Sequence, residues 1–204
     1  SVDKKADGQD RIEAARPGDV ISFTLESNLP QSLSAQVKRR TPNDDRPDDD
    51  RPYIIEKKSY QLIFHDKMSS NLSLNQATLK VEIMNNGKLV ELPEKYYMVR
   101  TDLEGETFRV TVRLVAAFND GQISYDQLKN AAQIVVSYDA TVKDSVINGD
   151  KVENRGWVND SEEDIVDGPV IDPDVPSTGG VGTKAFTAAG IALMGAAAGA
   201  VIVT

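Results

Sequence analysis

The chain has 204 residues, no cysteine and a formal net charge of −9, from 32 acidic against 23 basic residues. The lack of cysteine excludes a disulfide framework. The acidic balance argues against nucleic acid as a partner, since the longest basic stretch, Lys38-Arg39-Arg40, is followed at once by acids.

From residue 1 to residue 160 the apolar residues recur in short alternating runs separated by turn signals, which is the pattern of an all-β domain. The expected strands, rich in Val, Ile, Phe, Tyr and Thr, are residues 20–25, 60–66, 77–84, 108–114 and 133–142. Asn86-Gly87 falls between two apolar runs and predicts a hairpin, because a type I′ turn needs positive φ at both central residues. Residues 123–132 are the one expected helix, a short crossover. Roughly 150 residues of this kind can bury a real core, and two packed sheets are the default solution.

Two segments fall outside that core pattern. Residues 38–52 hold Arg, Asp, Asn and Pro with no apolar residue, a composition that predicts a mobile loop. Its aspartates do not match the spacing of a calcium loop, so no metal site is expected there. Residues 161–174 are acidic and contain proline, as suits a linker.

The end of the chain carries Val175-Pro176-Ser177-Thr178-Gly179, followed by an uncharged run over residues 185–203. Nineteen residues come close to the roughly 20 needed to cross a hydrocarbon core as a helix. Abundant Ala and Gly and a single Leu make it a weak span, suited to a temporary stop; a permanent anchor or a small-xxx-small packing face built on Gly195 and Gly199 are the alternatives. The pentapeptide and the run together resemble the sorting signal of Gram-positive surface proteins. That resemblance implies cleavage by a sortase after Thr178 and attachment through Thr178, after a stage as a membrane-retained precursor. Val175 stands where the signal has Leu, and no basic cluster follows the run, which is expected if the sequence is part of a longer precursor; the entry at Ser1 without a signal peptide is read in the same way.

Within the domain three polar residues fall on inward faces. In residues 62–68, period two groups Asp66 with Leu62, Phe64 and Met68 and turns His65, the only histidine, outward to an exposed position. Asn154 shares its face with Val152 and Val158, with Trp157 opposite; Lys4 shares its face with Val2 and Ala6. Buried separately, an ammonium, a carboxylate and an amide would each cost several kcal/mol, so the three should meet. A register shift of one residue would substitute Lys5 for Lys4, and Asp66 could equally open the turn before Ser69-Ser70-Asn71.

At these residues the chain resembles the isopeptide-forming D2 (CnaA-like) domain of Gram-positive pilins. The resemblance runs through Val2-Asp3-Lys4-Lys5, then Pro17-Gly18-Asp19-Val20-Ile21-Ser22-Phe23-Thr24 and Asn28-Leu29-Pro30. It continues in Asp66-Lys67-Met68-Ser69-Ser70-Asn71-Leu72, in Val136-Ser137-Tyr138-Asp139-Ala140-Thr141-Val142 and at Asn154. Departures are Asn71 where the family has Gly and a less regular final strand around Arg155-Gly156-Trp157.

The resemblance implies an Ig-like β-sandwich in which Lys4 and Asn154 are joined by an amide, formed once per molecule with Asp66 as catalyst. It implies no enzyme with turnover and no cofactor. The function expected is a structural subunit of a surface pilus, attached through Thr178 to other pilins or to peptidoglycan, outside the cell. The alternative is a wall-anchored adhesin binding host matrix protein or glycan, with residues 38–52 in the contact.

Overall fold

A computed structural model describes residues 1–39, 51–55 and 60–171. Its ten strands are β1 (Asp3–Ala6), β2 (Val20–Asn28), β3 (Leu62–Met68), β4 (Leu72–Asn85), β5 (Lys88–Glu91), β6 (Tyr97–Arg100), β7 (Phe108–Val112), β8 (Gln133–Val142), β9 (Lys151–Val158) and β10 (Asp164–Pro169). They form two five-stranded antiparallel sheets, in the orders β1-β2-β8-β4-β5 and β10-β9-β3-β7-β6. The alternation explains the layering: in β2, Ile21, Phe23 and Leu25 are buried, and in β7, Phe108, Val110 and Val112 are, so each sheet turns one apolar face to the other. The all-β sandwich expected from the sequence is the fold observed.

The five expected strands are all present, with ends that shift by a few residues. The hairpin is also where the sequence places it: β4 pairs with β5, and Asn86 and Gly87 have φ of 50° and 79°. The expected helix contracts to α2 (Tyr125–Lys129), preceded by a reciprocal Ser124/Gln127 cap.

A second helix, α1 (Leu114–Asn119), begins at Leu114, the last residue of the expected strand 108–114. The ladder stops at Val112, Arg113 N–H donates to the Tyr96 carbonyl, and Leu114, Val115, Ala117 and Phe118 are buried together at helical spacing.

Six of the fourteen residues expected to be a linker, 161–174, are instead strand. β10 pairs with β9 along its whole length, and Val166 and Val170 are buried. On its other side the stretch after β1 straps it down: Ile12 N–H donates to the Asp167 carbonyl, Ala15 N–H to that of Pro169, and Ile171 N–H to that of Ala15. Gly168 permits this approach, since a Cβ there would overlap the Ile12 carbonyl. The strand bearing Asn154 is therefore followed by another. At the same edge the Lys4 N–H of β1 donates to Asp164 Oδ2 (2.7 Å), tying the two sheets together.

The flanks of the charged loop are joined, with Lys38 and Tyr53 exchanging backbone hydrogen bonds of 2.8 and 2.9 Å. Residues 40–50 of that loop, the pentapeptide Val175 to Gly179 and the apolar run 185–203 lie outside the described residues.

Candidate functional site: a buried polar cluster between the sheets

The site draws on both sheets. Lys4 pairs with Leu25 in the register of β1 with β2, and Tyr138 pairs with Phe23 in that of β2 with β8. From the facing sheet, β3 supplies Asp66 and its neighbour β9 supplies Asn154. Each of the four side chains sits on the inward face of its strand, so the sandwich drives them together as it closes. Lys4 is 1% exposed, Tyr138 2%, and Asp66 and Asn154 are fully buried.

The hydroxyl of Tyr138 is the hub. Lys4 Nζ donates to it at 2.7 Å and Asn154 Nδ2 at 3.1 Å, and the hydroxyl itself donates to Asp66 Oδ2. Lys4 Nζ also meets Asp66 Oδ2 at 2.7 Å. The surroundings are aromatic: the Phe23 ring stacks on Tyr138 at 5.7 Å between centroids, and Phe108 meets it edge-on at 4.7 Å. Gly156, two residues beyond Asn154, opens the space for this packing, since a Cβ there would overlap Leu25 Cδ2 and lie 3.3 Å from Lys4 Nζ.

Burial governs the charges. It pushes the Lys4 ammonium down from its ordinary pKa, against the opposing pull of Asp66. It pushes the Asp66 carboxyl up, although Lys4, Tyr138 and Asn154 all favour the ionised form. Burial, reinforced by the charge of Asp66, keeps Tyr138 a neutral phenol far above its usual range. Asp66 Oδ1 and Asn154 Oδ1 are both buried and accept no hydrogen bond from the protein. A neutral carboxylic acid at Asp66, the form that burial favours, would supply a donor to this cluster.

Of the residues singled out in the sequence, Lys4, Asp66 and Asn154 meet here. Lys5 does not: it turns to the surface and pairs with Asp3 at 3.2 Å and Asp10 at 3.0 Å. His65 faces away from the cluster as expected but is not exposed. At 9% exposure it is covered by Trp157, its cross-strand partner, whose ring stacks parallel to it at 4.9 Å. Tyr138 was quoted in the sequence for its strand alone, and an inward tyrosine among Val, Ile and Ala ordinarily reads as core.

Comparison of the sequence with family models and with curated proteins yields no match. Among solved structures the chain is similar to the pilus backbone RrgB of Streptococcus pneumoniae, with a TM-score of 0.50 and 18% identity, over 78% of this chain and 30% of that one. The major pilin subunit BcpA of Bacillus cereus gives 0.49 and 17%, over 84% of this chain and 40% of that one. The T6 backbone pilin of Streptococcus pyogenes gives 0.44 and 16%, over 84% and 35%. The chain thus spans well under half the length of each. At such identities the likeness is one of fold, and the fold is a pilin-like β-sandwich.

Proposed function

We propose that this chain is a structural subunit of a Gram-positive surface pilus, locked by an amide between the Lys4 and Asn154 side chains. The observation that carries the reading is the buried cluster itself, in which an amine, a carboxyl and a carboxamide share one phenol between the two sheets. Desolvation favours neutral Lys4, whose lone pair can attack Asn154 Cγ, while protonated Asp66 is placed to polarise the amide. The new C–N bond replaces the bond from Cγ to Nδ2, and ammonia leaves. The fold supplies the proximity that makes aminolysis of an amide feasible. The reaction consumes its own reactants, so it is maturation and not turnover.

Attachment through Thr178, by a sortase acting on residues 175–179, is the second part of the proposal and rests on the sequence alone. It would place the protein outside the cell, joined to other pilins or to peptidoglycan.

The intact mass of the full chain tests the first part. The wild type should fall short of the calculated mass by one ammonia, and Asp66→Ala should restore it; full mass in both would end the cross-link reading. For the second part, expression in a sortase-bearing Gram-positive host should give wall-linked, detergent-resistant ladders that Thr178→Ala removes. A single wall-linked band in place of a ladder would instead favour an anchored adhesin.

A further inference from the structure

Aminolysis of an amide has two proton problems, and a different group of the cluster makes the direct hydrogen bond to each nitrogen. The attacking nitrogen must lose a proton, and Asp66 Oδ2 lies 2.7 Å from Lys4 Nζ. The departing nitrogen must gain one, because an amide anion is a prohibitively poor leaving group. Asn154 Nδ2 hydrogen-bonds to the Tyr138 hydroxyl at 3.1 Å. The same hydroxyl touches Lys4 Nζ and donates to Asp66 Oδ2, so it joins the group that collects the proton to the atom that needs it.

We propose that Tyr138 is a catalytic residue of cross-link formation, the general acid that protonates the departing Asn154 nitrogen. This rests on the Lys4–Asn154 reading above. As Nζ bonds to Cγ, Asp66 gives its own proton to Asn154 Oδ1 and the carboxylate so formed takes one proton from Nζ at Oδ2; the Oδ1 proton returns to Asp66 when the carbonyl re-forms. Asp66 passes a proton to the Tyr138 oxygen while the phenolic proton moves onto Nδ2, the bond from Cγ to Nδ2 breaks, and neutral ammonia departs. Nζ ends with one hydrogen, the leaving nitrogen with three, and Asp66 and Tyr138 end as they began. Burial keeps the hydroxyl protonated, and the concerted return of a proton from Asp66 avoids the phenolate that this burial disfavours. The ring is held by Phe23 and Phe108, which fixes the position of the phenolic oxygen.

Tyr138→Phe keeps the ring and removes the relay. The test follows the fraction of full chain lacking one ammonia against time after cell-free synthesis, with near-ultraviolet dichroism to show that each variant is folded. Removing one general acid should slow the reaction about a hundredfold. Folded Tyr138→Phe that closes at the wild-type rate overturns the proposal, whereas a wild type that never loses ammonia overturns the cross-link itself.

Should the phenylalanine variant not fold, global replacement of tyrosine by 3-fluorotyrosine decides the matter, because it makes the phenol more acidic without removing the ring. A changed closing rate in the otherwise wild-type chain is expected. An unchanged rate overturns the role of Tyr138. Where Tyr138→Phe does fold, the same replacement in that background should leave its rate unaltered, because the other five tyrosines lie outside the relay.

Discussion

Consecutive residues on β3 build two polar clusters of opposite character. Asp66 points between the sheets into the Lys4, Tyr138 and Asn154 cluster; His65 points outward, beneath Trp157 and beside Glu106. On the outer face the groups are well matched. Arg109 donates to both Glu106 oxygens, at 2.7 and 3.2 Å, and His65 Nδ1 donates to Glu106 Oε2 at 3.0 Å. Burial resists the Glu106 charge, but Arg109 and His65 outweigh it and hold the carboxyl below its usual pKa. On the inner face burial prevails over the partners, and two acceptors go unmatched. The outer cluster is thus at rest as an ion network, and the inner one has reason to react.

The largest difference between the two faces should appear on deleting each carboxylate. Asp66→Ala should retain the ammonia and lower stability by about 5 kcal/mol, the size expected for a cross-link closing a loop this long. Glu106→Ala should leave the mass unaltered and cost about 1 kcal/mol or less. Guanidinium melts with intact-mass readings separate the two outcomes, and equal losses would erase the distinction.

Neighbouring positions on β9 sharpen it further. Gly156→Ala should cost about 1–3 kcal/mol through the clash with Leu25 and should reduce the cross-linked fraction. Arg155→Ala, on the outer face and paired with Glu153 at 2.6 Å, should change stability by less than about 0.5 kcal/mol and leave the cross-link intact. Thermal melts and mass readings on both variants would show whether the inner face alone controls closure.

Smaller effects belong to the outer face alone. Trp157→Phe should weaken the stack on His65 by about 0.5–1 kcal/mol without altering the mass, again read by thermal melts.

The Glu106 pair adds a pH dependence of definite sign. The folded-state pKa lies below the unfolded 4.5, so the contribution is complete above that pH and is lost as pH falls through the folded value. Melts of wild type and Glu106→Gln should therefore differ at neutral pH and converge in acid; divergence on acidification would reverse the assignment.

Much of this was legible in the sequence because period two is a local property. Alternation alone put Lys4, Asp66 and Asn154 on inward faces, and the cost of burying them apart brought them together. What it could not show depends on partners far along the chain. Tyr138 acquires its role from groups 134, 72 and 16 residues away. His65 is covered only because β9 sets Trp157 opposite it. β10 has few apolar residues to announce it and exists because β9 and the strap at residues 12–15 supply its hydrogen bonds. The second helix was hidden for a related reason, since the period-two alternation of Phe108, Val110 and Val112 continues to Leu114.

The place of β10 beyond Asn154 gives the domain two mechanical regimes. A bond from Lys4 to Asn154 makes everything between those residues inextensible, but it does not enclose residues 155–171. A pull at Ile171 meets the β9–β10 ladder end-on, starting from the pair of Pro169 with Lys151, and opens it one step at a time once the strap at Ala15 lets go. Residues 155–158 stay paired with β3, and the thirteen residues from 159 to 171 have an extended length of roughly 45 Å. If the cross-link and the attachment proposed above both form, β10 is a compliant lead on a stiff link, able to absorb a sudden jerk and to re-form when the tension drops.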